Sequence, residues 1–193
     1  MVEHGASDWQ LLTVKPIFQV VSMFTSTGYT VTGFAGWGTL VLALMFLMMF
    51  AGGCAGSTSG GAKIDRILFL TKYCRNEIAR CVHPNSILAV KLNGRAQSFT
   101  LVSKVVAFIL LYIVVIILGA VLIMVFGEDL QHSFFSALSC VTNSGISAGD
   151  VFYSNDFSVF SEPSKCILSL LMLTGRLEMY TILILLTKSF WSR

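Results

Sequence analysis

Between positions 16 and 62, and again between 105 and 127, no Asp, Glu, Lys or Arg occurs. Three segments, 36–53, 105–126 and 166–187, are long and apolar enough to cross about 30 Å of hydrocarbon at about 1.5 Å per residue. Two semi-polar segments lie beside them, at 14–34 and 130–151. Each opens with an apolar stretch of helical length, 15–24 and 130–141, and then turns to hydroxyls and glycines, without charge over 25–34 and 142–149. Pro16 suits a first helical turn, and Glu128-Asp129 suits a cap and a partner for the helix dipole.

The two semi-polar segments repeat each other. At an offset of 117, Thr25-Ser26-Thr27-Gly28-Tyr29-Thr30 falls on Thr142-Asn143-Ser144-Gly145-Ile146-Ser147, and Ser22 falls on Ser139. Their helices are too short to span, so the pattern predicts re-entrant hairpins that stop partway and return as extended backbone through 25–32 and 143–149. Irregular backbone at membrane depth is tolerated only where protein buries it or water reaches it. Glycines let successive carbonyls point one way, hydroxyls add oxygen ligands, and uncharged dipoles can replace the hydration shell of a cation. The negative C-terminal end of each short helix aims at the same place. Singly, each glycine also reads as a packing or turn residue; two copies behind short helices point to an ion filter at Ser26, Thr27, Gly28, Tyr29, Thr30, Asn143, Ser144, Gly145, Ile146 and Ser147.

Composition agrees with a membrane chain: 55% of the residues are hydrophobic and 12% charged, with mean hydropathy +0.78. Charge sets the expected orientation. Segment 63–104 holds Lys63, Arg66, Lys72, Arg75, Arg80, Lys91, Arg95 and Lys104 against Asp65 and Glu77, which marks it as cytoplasmic. Segment 128–165 holds Glu128, Asp129, Asp150, Asp156 and Glu162 against Lys165 and faces out. Three spans then put the N-terminus outside and Lys188 and Arg193 in the cytoplasm. Loop charge of this kind is what topology requires, so no nucleic-acid partner is inferred. Met1–Gln10 lacks a basic start and an apolar centre and does not read as a signal peptide. Cys54, Cys74, Cys81, Cys140 and Cys166 lack zinc spacing and read as small core residues with free thiols. His4, His83 and His132 are scattered, and nothing suggests catalysis.

Two further features carry function. The first is Gly52-Gly53-Cys54-Ala55-Gly56-Ser57-Thr58-Ser59-Gly60-Gly61-Ala62, whose glycines interrupt a helix at a cost of up to about 1 kcal/mol each. A phosphate-binding loop fails on spacing, since Ala62-Lys63 follows Gly61 and no strand precedes it; a plain helix kink stays open. The second is Arg176, which costs at least about 2.5–3.5 kcal/mol at mid-membrane unless paired or hydrated and so should face protein. Glu178 is a possible partner, although i,i+2 spacing puts the two on different helix faces.

The order "STGYT" (26–30), span, "GGCAGSTSGGAKIDRILFL" (52–70), "HPNSILAVKLNGRA" (83–96), span, "TNSGIS" (142–147) and "GRLEMYTILILLTKSFW" (175–191) resembles the C-terminal part of TrkH-type potassium uptake proteins of the Trk/Ktr/HKT superfamily, over essentially all 193 residues. Thr27-Gly28-Tyr29 also resembles the potassium-channel filter. The resemblance implies an all-α membrane fold of span–pore-helix–span repeats around one pseudo-fourfold pore. On it, 1–62 is the pore helix, filter and second span of a third repeat with its intramembrane loop, 63–104 a cytoplasmic connection, and 105–193 a complete fourth repeat. It implies potassium as the ion, bound at Thr27, Gly28, Ser144 and Gly145. It also implies a gate made of Gly52, Gly53, Gly56, Ser57, Thr58, Ser59, Gly60 and Gly61 beneath the filter together with Arg176, location in the bacterial inner membrane, and a homodimer of full subunits. A cytosolic nucleotide-binding regulatory subunit would dock near Arg75, Arg80 and Lys91. The first two repeats are missing, so a truncated or separately encoded half is expected, either conducting with its missing repeats or serving only in assembly; a membrane enzyme using the Gly-rich loop is the remaining alternative. The last filter departs from the family's usual Gly-Pro-Gly at Gly145-Ile146-Ser147.

Overall fold

The computed structural model of the chain describes residues 13–31, 38–83, 91–92, 95–96, 99–146, 157, 160–177, 179, 181, 184 and 188–191. In chain order its helices are α1 (Lys15–Phe24), α2 (Thr39–Ala51), α3 (Ile64–Val82), α4 (Phe99–Val125), α5 (Leu130–Val141), α6 (Glu162–Arg176) and α7 (Lys188–Trp191). Among the described residues the regular structure is helical apart from one small antiparallel ladder between β1 (Lys91–Leu92) and β2 (Arg95–Ala96), which pairs Lys91 with Ala96 and Leu92 with Arg95. The sequence between the two, Asn93-Gly94, is a strong short-range hairpin signal.

The long helix α4 organises the rest. Its 27 residues rise about 40 Å. Among the described residues Thr100–Val125 alone is long and apolar enough to cross a membrane, with mean hydropathy 3.3. Phe108, Tyr112, Ile116, Ala120 and Ile123 recur at every third or fourth position and form one buried stripe, against which Met49, Ala137, Val141, Leu168 and Leu171 pack. The opposite face, with Leu110, Val114, Ile117, Leu118 and Val121, is exposed and just as apolar. A helix apolar all round suits protein or hydrocarbon neighbours and not water. Helices α5 and α6 pack on α4, and α1 on α2. Phe46 stacks on Phe135 at 4.0 Å and Phe50 meets Tyr112 edge-on at 5.4 Å, which ties α2 to α5 and α4.

The expected spans 36–53 and 166–187 are each described in part. Segment 36–53 is represented by the 13 residues of α2, about 20 Å long, ended by Gly52 at a φ of 64°; residues 32–37 lie outside the described ones. For segment 166–187, α6 begins at Glu162 with a proline in its first turn and runs to Arg176; beyond Leu177 the described residues are 179, 181, 184 and 188–191, and the first three are helical. Asp129 does occupy the N-cap position of α5, but its side chain makes no capping hydrogen bond, so only its charge remains to act on the helix dipole. The cysteines are free as expected, but only Cys140 is buried; Cys54, Cys74, Cys81 and Cys166 are exposed on the loop after α2 and on α3 and α6.

Candidate functional site

The two uncharged hexads fold alike. Thr25 and Thr142 end α1 and α5, and their N–H groups reach Val21 and Leu138 at 2.9 Å in both. The next N–H groups, of Ser26 and Asn143, return to Met23 and Cys140 at 3.2 and 3.1 Å, and those of Thr27 and Ser144 to Ser22 and Ser139 at 2.9 and 3.1 Å. Ser26 and Asn143 have φ of 55° and 56°, Gly28 and Gly145 of 79° and 71°. Every one of these pairs lies 117 positions apart. A serine in the left-handed region costs about 1–2 kcal/mol, so a turn that keeps this conformation is held there by its surroundings.

Those surroundings are polar and buried. Ser22 Oγ donates to the Tyr29 carbonyl at 2.7 Å, and Gln19, fully buried, accepts the Val31 N–H on Oε1 at 3.2 Å. In the second copy Ser139 Oγ lies 3.2 Å from Ser144 Oγ, which donates to Met49 Sδ at 2.9 Å. Tyr29 presents its ring outward, while Ile146 packs with Met23 and Met45. Thr27 and Thr30 lie in the irregular stretch after the first turn, and Ser147 is outside the described residues. The copies meet at Gly28: a Cβ there would overlap the Ser144 carbonyl oxygen, whereas nothing crowds Gly145.

The Gly-rich segment is a closed loop, which corrects the plain-kink alternative. Ala62 N–H donates to Phe50 O at 2.9 Å and Ile64 N–H to Gly53 O at 3.1 Å, closing its neck. Inside, Gly53 N–H donates to Ser59 Oγ at 2.8 Å, Ser57 Oγ to Cys54 O at 2.7 Å, and Ala55 N–H to the carboxylate of Asp65 on α3. These bonds satisfy part of the loop's backbone from within the loop and from α3. Gly52 and Gly61 cross at the neck, Gly56 stands open, and Gly60 lies directly on the Thr142 carbonyl at the base of the second hexad.

The end of α6 completes the cluster. A Cβ on Gly175 would overlap the Val141 carbonyl. The Asn143 amide, oriented to satisfy both its groups, donates to Met172 O at 3.2 Å and accepts the Arg176 N–H at 3.1 Å. An α-helix would join that carbonyl and that N–H to each other; a side chain inserted in the ladder is a known cause of helix breaks and explains why α6 stops here. Arg176 Nη1 donates to Thr58 O at 3.0 Å. Arg176 makes no ion pair among the described residues, and Glu178 is outside them. Beside this contact is a cavity of about 220 Å³ lined by Thr58, Lys63, Arg66, Tyr112, Asn143 and Arg176 among others.

Both predicted halves, hexads and loop with Arg176, thus meet at residues 141–144. Three contributors went unnoticed in the sequence. Gly175 carried a signal as a small residue next to an arginine in an apolar segment; Gln19 and Met49 carried none, being a lone polar and a lone apolar residue in apolar helices. Gly175→Ala should lower stability by about 1–3 kcal/mol, the usual cost of overpacking. A midpoint of thermal unfolding in detergent equal to that of the unmodified chain would mean that α6 does not approach α5 this closely.

The profile of the TrkH family, described as cation transport protein, matches residues 12–193. The chain belongs to this family. It is 38% identical over 189 residues to the Trk system potassium uptake protein TrkH of Escherichia coli K12, covering 97% of this chain and 39% of that relative. It is 32% identical over 178 residues to TrkG of the same strain, covering 92% and 36%. The fold matches the crystal structure of the potassium transporter TrkH from Vibrio parahaemolyticus with a TM-score of 0.83 and 37% identity, over 92% of this chain and 37% of that one. The chain therefore spans about two-fifths of the length of these TrkH-family proteins.

Proposed function

We propose that the chain forms part of a potassium uptake pathway, as the C-terminal part of a TrkH-type translocation subunit in the bacterial inner membrane. What carries this reading is the pair of matched turns 117 positions apart, free of charge and meeting at Gly28 and the Ser144 carbonyl. Backbone oxygens arranged by left-handed residues at the end of short helices are what a dehydrated monovalent cation needs. On this reading 1–62 contributes pore helix, filter and second span of one repeat, 63–104 the cytoplasmic connection, and 105–193 the next repeat. Ions pass along Thr27, Gly28, Ser144 and Gly145, and the loop 52–61 with Arg176 closes the path below them. The N-terminal end of the chain is outside and the C-terminus cytoplasmic, full subunits pair as homodimers, and a cytosolic nucleotide-binding subunit docks on the basic face. There Arg75 is exposed on α3, while Arg80 pairs with Glu77 at 2.7 Å.

A second reading is favoured by coverage of only 39% of the relatives: a half-subunit that assembles but does not conduct without the remaining repeats. Growth of an uptake-deficient strain on limiting potassium separates the two, with this chain expressed alone and together with an N-terminal half in trans. Rescue with both halves is expected on either reading, and rescue by the chain alone on the first only. Rescue by the chain alone would exclude the assembly-only reading, and no rescue in either arm, with both halves in the membrane, would remove the uptake reading.

A further inference from the structure

The cavity of about 220 Å³ between the loop, α3, α4 and the end of α6 gathers Lys63, Arg66 and Arg176, with no carboxylate among its described lining residues. Arg66 stacks on the Phe108 ring at 3.8 Å and Arg176 uses Nη1 on Thr58; neither they nor Lys63 make an ion pair among the described residues. Lys63 itself is held at a φ of 66°, where glycine would be expected, at the corner that turns the loop into α3. The fourth feature is Tyr112, only 2% exposed, whose hydroxyl has no hydrogen-bond partner although the residue lines this cavity. Buried hydroxyls are normally bonded, so an orphan beside three unpaired cations calls for an acceptor with negative charge. The space holds several waters at about 30 Å³ each, or one tetrahedral oxyanion with part of its shell. The transported cation is repelled from such a place.

We propose that this cavity binds a phosphate group of net negative charge, carried by the headgroup of an anionic phospholipid or free in solution, and not the charge-balanced phosphate of a zwitterionic lipid. Lys63 and Arg66 supply charge, the fork of Arg176 has donors left beyond its bond to Thr58, the hydroxyls of Ser57 and Ser59 stand at the rim, and the Tyr112 hydroxyl donates from the buried side. A bound phosphate neutralises the positive field beneath the paired turns and holds the loop against α6. This effect on ion flux rests on the conduction reading above; binding itself does not.

The test uses the full chain in nanodiscs and reads the midpoint of thermal unfolding, which rises when a ligand binds the native state. One arm adds inorganic phosphate to pure phosphatidylcholine discs at constant ionic strength; the other compares pure phosphatidylcholine with phosphatidylcholine–phosphatidylglycerol discs. At least one arm should raise the midpoint, and which one does so identifies the source. Lys63→Gln with Arg66→Gln should abolish the rise, Tyr112→Phe should weaken apparent affinity several-fold, and Lys72→Gln with Arg75→Gln, exposed further along α3, should leave it intact. If the double variant is unfolded, Tyr112→Phe and Arg66→Lys decide in its place. No rise in either arm, or a rise lost equally in the Lys72 and Arg75 variant, overturns the site, the latter in favour of diffuse surface charge. Binding that persists while potassium flux through the assembled transporter ignores it would uphold the site and overturn the gating role instead.

Discussion

Arg176→Ala is expected to raise potassium flux through the assembled transporter by up to about 100-fold, with Arg176→Lys staying close to the unmodified protein. Two effects compete at this residue. Its hydrogen bond to Thr58 O has a charged donor but is made by an exposed side chain, and contributes about 1.5 kcal/mol net, the low end for charged donors. A full positive charge about 5 Å from a passing cation, at an effective dielectric of about 20, opposes it by about 3 kcal/mol, or roughly two orders of magnitude in occupancy. The field therefore outweighs the clamp, and lysine retains most of it. Deleting several of the glycines and serines between 53 and 61 should also raise flux, since it removes the other side of the same contact. Combined with Arg176→Ala it should add little, because both changes disable one element. Flux at the unmodified level in both the alanine variant and the loop deletion, with normal expression, would return Arg176 to a structural role; a lysine variant that leaks like alanine would make the clamp dominant.

The second large effect is expected at the paired glycines, and the two should differ. Gly28→Ala meets two penalties, about 1–2 kcal/mol for an L residue at a φ of 79° and about 1–3 kcal/mol for a methyl driven into the Ser144 carbonyl. Gly145→Ala meets only the first, because nothing lies near its Cβ direction at a φ of 71°. Potassium-over-sodium preference, measured as flux ratios in reconstituted vesicles, should therefore fall by an order of magnitude or more at Gly28 and by less at Gly145. Equal preference in both variants and the parent would take these positions out of the ion path. A larger loss at Gly145 would mean that the crowding at Gly28 is relieved when ions occupy the turns.

Much of this arrangement is written in local pattern. Helices α1 and α5 run over 15–24 and 130–141, where apolar length, Pro16 and the following polar hexads placed them. The repeat offset carried through to matching hydrogen bonds and φ values, since turn conformation is dictated by residues close in sequence. What could not be read were features set by distant partners. The end of α6 at Arg176 depends on Asn143, whose amide intercepts a helical hydrogen bond from 33 positions upstream, and no apolar profile of 166–187 carries that information. The thiols of Cys54 and Cys166 were expected in the core because they lie in or against apolar segments, yet both are exposed, since an apolar profile does not say which face of a segment meets the rest of the fold. Gln19 and Ser22 stand behind the first turn for the same reason of distance: each bonds a carbonyl or N–H at least seven residues away.

Beside the hydrogen bonds of Asn143 and Arg176, three close approaches join the turns, the loop and α6, and each is made where a side chain is absent: Gly28 on Ser144, Gly60 on Thr142 and Gly175 on Val141. Sequence drift treats such joints differently from ordinary packing. A core leucine can pass through methionine or isoleucine in small steps, each repaired by a neighbour, but the smallest possible change at these glycines already sets a carbon against a backbone oxygen that cannot step aside. The joints are therefore all-or-none in evolutionary terms. Divergent copies of this chain are free to exchange Ser and Thr at 25, 27, 57 and 59 and to vary the outer face of α4, while 28, 60 and 175 admit one residue each.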